Sequence, residues 1–102
     1  MIYATGVKHV ARFWLRSPGD IPEIERRVAE LATLPEVIDM IVGPPLDTDW
    51  SDRLDTSYDL AFIATFKSRE ACLAYYEAER HQRIAGELQK IAERIEAFYV
   101  QY

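Results

Sequence analysis

Two histidines, His9 and His81, are the side chains of this 102-residue chain best suited to proton transfer near neutral pH, since a free imidazole titrates at about 6.5. His81 closes the stretch Tyr58 to His81, YDLAFIATFKSREACLAYYEAERH, which also carries Cys72 and Tyr75. A neutral imidazole can take a proton from a carbon beside a carbonyl, and a phenol in a water-poor cavity can donate a hydrogen bond to the enolate that develops. Two histidines from distant segments without a third convincing ligand fall short of a zinc site, so no metal is expected. Cys72 sits mid-helix with no base predictable beside it and reads as a buried, inert thiol.

Alternation in the sequence supplies the elements that must position these groups. From Val7 to Leu15, Val7, His9, Ala11, Phe13 and Leu15 fall on one face of a strand, with Lys8, Val10, Arg12, Trp14 and Arg16 on the other. After Ser17-Pro18-Gly19-Asp20, an Asp20 cap with Glu23 three residues on predicts a helix to about Thr33. Ile21, Ile24, Val28 and Leu31 form its apolar stripe. Val37 to Val42 reads as a second strand stopped by Gly43-Pro44-Pro45. Tyr58 to Phe66 reads as a third, with Leu60, Phe62, Ala64 and Phe66 on a wholly apolar face. Ser68 caps a helix to about Tyr76, the polar run Glu77 to Arg80 interrupts it, and Ile84, Leu88, Ile91 and Ile95 continue at helical spacing. Ala97 to Tyr102 is expected to close the chain as a fourth strand. Tyr76, Tyr99 and Tyr102 read as packing or surface residues, and Phe13, Phe62, Phe66 and Phe98 as core.

The order is βαββαβ with a split second helical region: a ferredoxin-like α+β sandwich in which helices cover one face of a four-stranded antiparallel sheet. The other face, bearing Val10, Trp14, Ala61 and Ile63, is left partly apolar, and a second copy packing sheet against sheet would cover it. The chain is one domain, residues 1–102. A net charge of −5 and a pI near 5.0 argue against nucleic acid and anionic lipid as partners. No run approaches the length of a membrane span. Met1 to Gly6 lacks the basic start and apolar run of a signal peptide, and the single cysteine excludes an intrachain disulfide, so a cytoplasmic location is expected. The loop Leu46 to Ser57 carries Asp47, Asp49, Asp52 and Asp55 around Trp50. It lacks the glycine and glutamate spacing of an EF-hand and reads as an acidic solvated loop.

Val7-Lys8-His9-Val10, Leu34-Pro35-Glu36-Val37, Val42-Gly43 and the stretch Tyr58 through Tyr75 to His81 together resemble the stress-responsive α/β-barrel family, often called Dabb. The resemblance implies a dimeric α+β barrel with a cavity between sheet and helices. The family includes a plant polyketide cyclase that works without metal or organic cofactor, and its catalytic tyrosine, histidine and first-strand histidine fall on Tyr75, His81 and His9. By this resemblance His81 would be the general base, Tyr75 the hydrogen-bond donor and His9 an orienting group. Phe62, Ala64, Ala11 and Ile84 are expected to contact a small, partly apolar carbonyl or phenolic ligand, with no cofactor. The alternatives are a non-catalytic stress-related dimeric interaction module and a dimeric-barrel monooxygenase-like protein.

Two departures stand out. The family's His-Pro-x-His ending is Ala78-Glu79-Arg80-His81 here, and two aromatic pocket positions fall on Ala92, taken to lie on the last helix, and near Leu31. On an unbroken helix Tyr75 and His81 would stand roughly 240° apart around the axis. Their convergence requires a break between them, expected at Glu77 to Arg80.

Overall fold

A computed structural model describes residues 6–50 and 52–102. The N-terminal reading rests on Met1 to Thr5, which with Ser51 of the acidic loop lie outside the described residues. Four strands form one antiparallel sheet: β1 (Val7–Leu15), β2 (Asp39–Gly43), β3 (Leu60–Phe66) and β4 (Ala92–Gln101), in the order β2-β3-β1-β4. Helices α1 (Ile21–Leu31), α2 (Arg69–Glu77) and α3 (Glu79–Ile91) provide the layer that packs on it. The ferredoxin-like α+β arrangement is as expected. Among the described residues no helix is long and apolar enough to cross a membrane.

The two faces of β1 separate as its alternation requires. Val7, His9, Ala11 and Phe13 are buried beneath the helices, while Lys8, Val10, Arg12 and Trp14 are half-buried on the open face. Ile24, Val28 and Leu31 of α1 and His81, Ile84 and Leu88 of α3 close over the inner face. The two helices are also tied by Arg27 to Glu87, at 2.8 Å, and Arg83 to Glu30, at 3.5 Å.

Three local expectations are corrected. Asp20 does not cap α1 with its side chain; it lies in helical conformation at the end of a short 3-10 turn, Pro18–Asp20. Ser17 caps that turn, its hydroxyl oxygen accepting from the Gly19 N–H, while Glu23 pairs with Arg26 and Arg27. The strands β2 and β3 each begin two residues later than the alternation suggested, at Asp39 and Leu60. β4 begins at Ala92 rather than Ala97, so Ile95 belongs to the strand and Ala92 is its first residue. Ile91 and Ile95 fit a helical period, but β1 offers a long edge, and pairing Arg94 to Gln101 along Trp14 to Val7 satisfies more backbone than another helical turn would.

Phe13, 1% exposed, packs in the centre of the inner face beside Phe62. Phe13→Ala is expected to lower the unfolding free energy by about 3–5 kcal/mol in urea denaturation. A loss below about 1 kcal/mol would mean that this face is not the core.

Candidate active site between sheet and helices

The site is set by where α2 stops. Ser68 starts the helix, its hydroxyl oxygen accepting from the Ala71 N–H at 3.0 Å, and Cys72 and Tyr75 fall one turn apart on the buried side. Ala78 then takes φ −59° and ψ 138°, and α3 begins at Glu79. The break is thus one residue rather than the whole polar run. Glu79 occupies the first helical position, where the family's proline is well tolerated and where an acid also suits the helix dipole. The missing proline has not removed the turn.

The break aims His81 back at α2. Its ring lies 4.5 Å from that of Tyr75, between centroids, and 5.2 Å from that of Tyr76. His81 Nδ1 lies 3.0 Å from the Tyr76 carbonyl oxygen, which also accepts from Gln82 Nε2 at 2.7 Å. A carbonyl can only accept, so His81 Nδ1 carries the hydrogen and Nε2 carries the lone pair. Burial lowers the His81 pKa, partly opposed by this hydrogen bond.

His9 approaches from the sheet, flanked in register by Ala64 of β3 and Tyr99 of β4. Its ring stacks on Tyr99 at 4.1 Å, meets Phe62 edge-on at 5.1 Å, and stands 6.3 Å from Tyr75. Neither His9 ring nitrogen has a hydrogen-bond partner among the described residues, and neither does the Tyr75 hydroxyl, although all three atoms are buried. Burial, reinforced by nearby His81, pushes the His9 pKa down to about 4. Burial also raises the phenols, Tyr99 to about 12 and Tyr75 well above its usual value, and it raises the Cys72 thiol. At neutral pH the site therefore holds two neutral imidazoles and two protonated phenols.

A cavity of about 210 Å³ opens between these groups. Of the expected residues, His9, His81, Phe62 and Ala11 line it. Ala64 and Ile84 are instead wholly buried in the packed core, and Tyr75, 0% exposed, stands behind His81 rather than on the lining. Tyr76, Gln82 and Tyr99 line the cavity although the sequence did not single them out. Tyr99 could have been found by extending the β4 alternation back to Ile95, which puts it on the His9 face; Tyr76 and Gln82 carry no comparable pattern. Leu31 lines the cavity as an aliphatic wall, whereas Ala92 is buried at the start of β4. Among the described residues no three His, Cys, Asp or Glu side chains are grouped to hold a metal ion.

The family model for the stress responsive A/B barrel domain, Dabb, matches residues 7–100. The chain belongs to this family. Solved structures share its fold. A hydroxynitrile lyase from Passiflora edulis is 22% identical, with a TM-score of 0.82 over 96% of this chain and 94% of its own. A dimeric ferredoxin-like protein of unknown function from Thermobifida fusca is 18% identical, with a TM-score of 0.75 over 100% and 95%. SnoaB, a cofactor-independent oxygenase from Streptomyces nogalater, is 17% identical, with a TM-score of 0.73 over 97% and 94%. At these identities the likeness to the Dabb chain is one of fold. Among curated proteins none matches it in sequence.

The histidines set a pH dependence. Their folded pKa values lie below the unfolded value, so the unfolded state binds more protons on acidification. Their stabilising contribution is complete above about pH 6.5 and is lost as pH falls toward the folded value, about 4 for His9. NMR titration of the imidazole resonances is expected to show His9 neutral down to that value. His9→Phe is expected to flatten the stability profile between the two pH limits. A His9 midpoint near 6.5 would contradict the buried geometry.

Proposed function

We propose that this Dabb protein is a homodimer that binds a small, partly apolar carbonyl or phenolic compound between sheet and helices and acts on it without a cofactor, by proton abstraction in the manner of a cyclase or lyase. The observation that carries the reading is the set of buried, unpartnered atoms, His9 Nδ1 and Nε2 and Tyr75 Oη, on rings that cluster with His81: the Tyr75 ring lies 4.5 Å from that of His81 and 6.3 Å from that of His9. Buried polar atoms without partners are rare in folded proteins, and a polar ligand that enters between the two histidines would satisfy them. His81 Nε2, held in the basic tautomer by the Tyr76 carbonyl, removes a proton next to the ligand carbonyl. The negative charge that develops on the carbonyl oxygen is met by a hydrogen bond from the N–H of His9 and by one from the Tyr75 hydroxyl, which the ligand reaches by opening the space beside His81; both donors are neutral in a water-poor site. The names of two structural neighbours are in keeping with this reading: one is a lyase, and the other is a cofactor-independent oxygenase.

The open face of the sheet supports a second copy. The ladder places Ile41, Ile63, Val10 and Phe98 side by side across all four strands, with Ile41 63% and Phe98 51% exposed. The expected interface residues Val10 and Ile63 fall in this row, and Ala61 and Trp14 lie beside it. Arg12 already pairs with Asp55 and Glu96, and Arg94 with Glu96, so burial of this face would strand few free charges. Sheet-to-sheet pairing leaves the cavity on the helix side accessible. A cytoplasmic location belongs to the same reading, in keeping with a single buried thiol.

Two measurements test it. Screening of polyketide-like carbonyl and phenolic compounds by NMR is expected to find ligands that shift His9 and Tyr99. Turnover of such a ligand should fall about 100- to 10,000-fold in His81→Ala and about a hundredfold in Tyr75→Phe. Indistinguishable binding and turnover by wild type and His81→Ala would overturn the site. Separately, Val10→Asp is expected to convert a dimer to monomer in sedimentation; a monomeric wild type would remove the dimer from the reading.

A further inference from the structure

On the far side of Tyr76 and Tyr99 lies a second cavity, of about 390 Å³, between α2 from Arg69 to Tyr76 and the ends of β1 and β4. Tyr76 and Tyr99 line both cavities and form the partition between them. The histidine cavity, at about 210 Å³, is smaller than the usual range for small-molecule sites, about 300–1,000 Å³, whereas the second falls within that range. A ligand of ordinary size that reaches the histidines therefore has to extend past the tyrosines. The second cavity is made apolar by Val7, Cys72 and Leu73 and by the two tyrosine rings.

Among the described residues its one charged residue is Arg69, in the first turn of α2. Arg12, Arg26, Arg27, Arg83 and Arg94 all have carboxylate partners. Arg16 and Arg80 have hydrogen-bond acceptors. Arg69, like Arg53 of the acidic loop, has neither among the described residues. An unengaged guanidinium at an apolar cavity is suited to a carboxylate, which it can bind through two parallel hydrogen bonds, and the N-terminal end of α2 adds to the positive potential there.

We propose that this second cavity is a binding subsite for the apolar body of a monocarboxylate, with its carboxylate on Arg69 and its body lying against Tyr76 and Tyr99 toward the histidines. The direction of the ligand's other end rests on the function proposed above; the carboxylate subsite stands independently of it.

The full chain, isotope-labelled, would be titrated with octanoate and, as an uncharged probe of the same length, octanol. Octanoate is expected to shift the Val7 and Leu73 methyl resonances, and its affinity should fall about five- to tenfold in Arg69→Gln and fall again as ionic strength is raised. Octanol binding should respond to neither change. Arg69 is exposed, so its replacement leaves the core intact, and Leu73→Trp, which fills the cavity, should abolish the response to both probes. Failure of octanoate to bind, equal affinity in wild type and Arg69→Gln, or shifts confined to other surfaces would overturn the subsite. Octanoate binding should persist in His81→Ala, so loss of the subsite and loss of the histidine chemistry are read out separately.

Discussion

The extended ψ of Ala78 decides what the rest of the site can be. Had α2 run on without interruption, the Tyr76 carbonyl would have accepted from the backbone four residues later, and His81 would have pointed far from Tyr75. With the chain turned at Ala78, the Ala78 N–H still bonds back to Ala74 and Tyr75, but the Tyr76 carbonyl is released from the helical ladder. An orphaned carbonyl near the core must find a donor. His81 and Gln82, both in the first turn of α3, supply it. One backbone departure therefore brings the imidazole to the cavity, fixes its tautomer and leaves its basic nitrogen free.

The sheet imposes the complementary constraint. Because side chains alternate across a strand, the register that places His9 beneath the helices also places Val10 and Arg12 on the open face, and a slip of one residue would exchange them. The cavity exists because that register sets Ala11 of β1 opposite Ala97 of β4. Two small side chains there leave room above the sheet, while Phe13 and Phe62 fill the space beside them. Irregularity is confined to the end of the ladder, where the register shifts between Trp14 and Leu15 just after β4 leaves α3. The bulge absorbs the abrupt helix-to-strand change without disturbing the pairing of His9 with Tyr99.

What was legible in the sequence follows from which interactions are local. The faces of β1 and β3 come from short-range alternation, and the Ser68 cap from a side chain bonding three residues on, so both were read correctly. The Asp20 cap failed because Ser17 and Pro18 begin a 3-10 turn earlier and draw Asp20 into helical conformation. The start of β4 was missed because Ile95 satisfies a helical and a strand period alike, and only the free edge of β1, 80 or more residues away, decides between them. The site divides in the same way. His9 and His81 were identifiable by residue type, and their partner by family resemblance. Tyr99 follows from the β4 alternation once the strand is placed, whereas the parts played by Tyr76 and Gln82 depend on the chain turning at Ala78 alone, which no residue pattern encodes.

The polar atoms in this core also bear on why it is built as it is. A buried donor or acceptor without a partner costs about 1–3 kcal/mol, so the His9 ring and the Tyr75 hydroxyl together weigh against folding by an amount comparable to one large core side chain. Phenylalanine at positions 9 and 75 would avoid that cost and would sit comfortably among Phe62, Phe66 and the Tyr99 ring. The surrounding packing of Phe13, Ile24, Val28 and Leu88 is extensive enough to hold the polar groups in place regardless. Stability alone thus favours residues other than those present. On the function proposed above, a ligand would supply the missing hydrogen bonds, and its binding would recover the free energy that the empty fold forgoes.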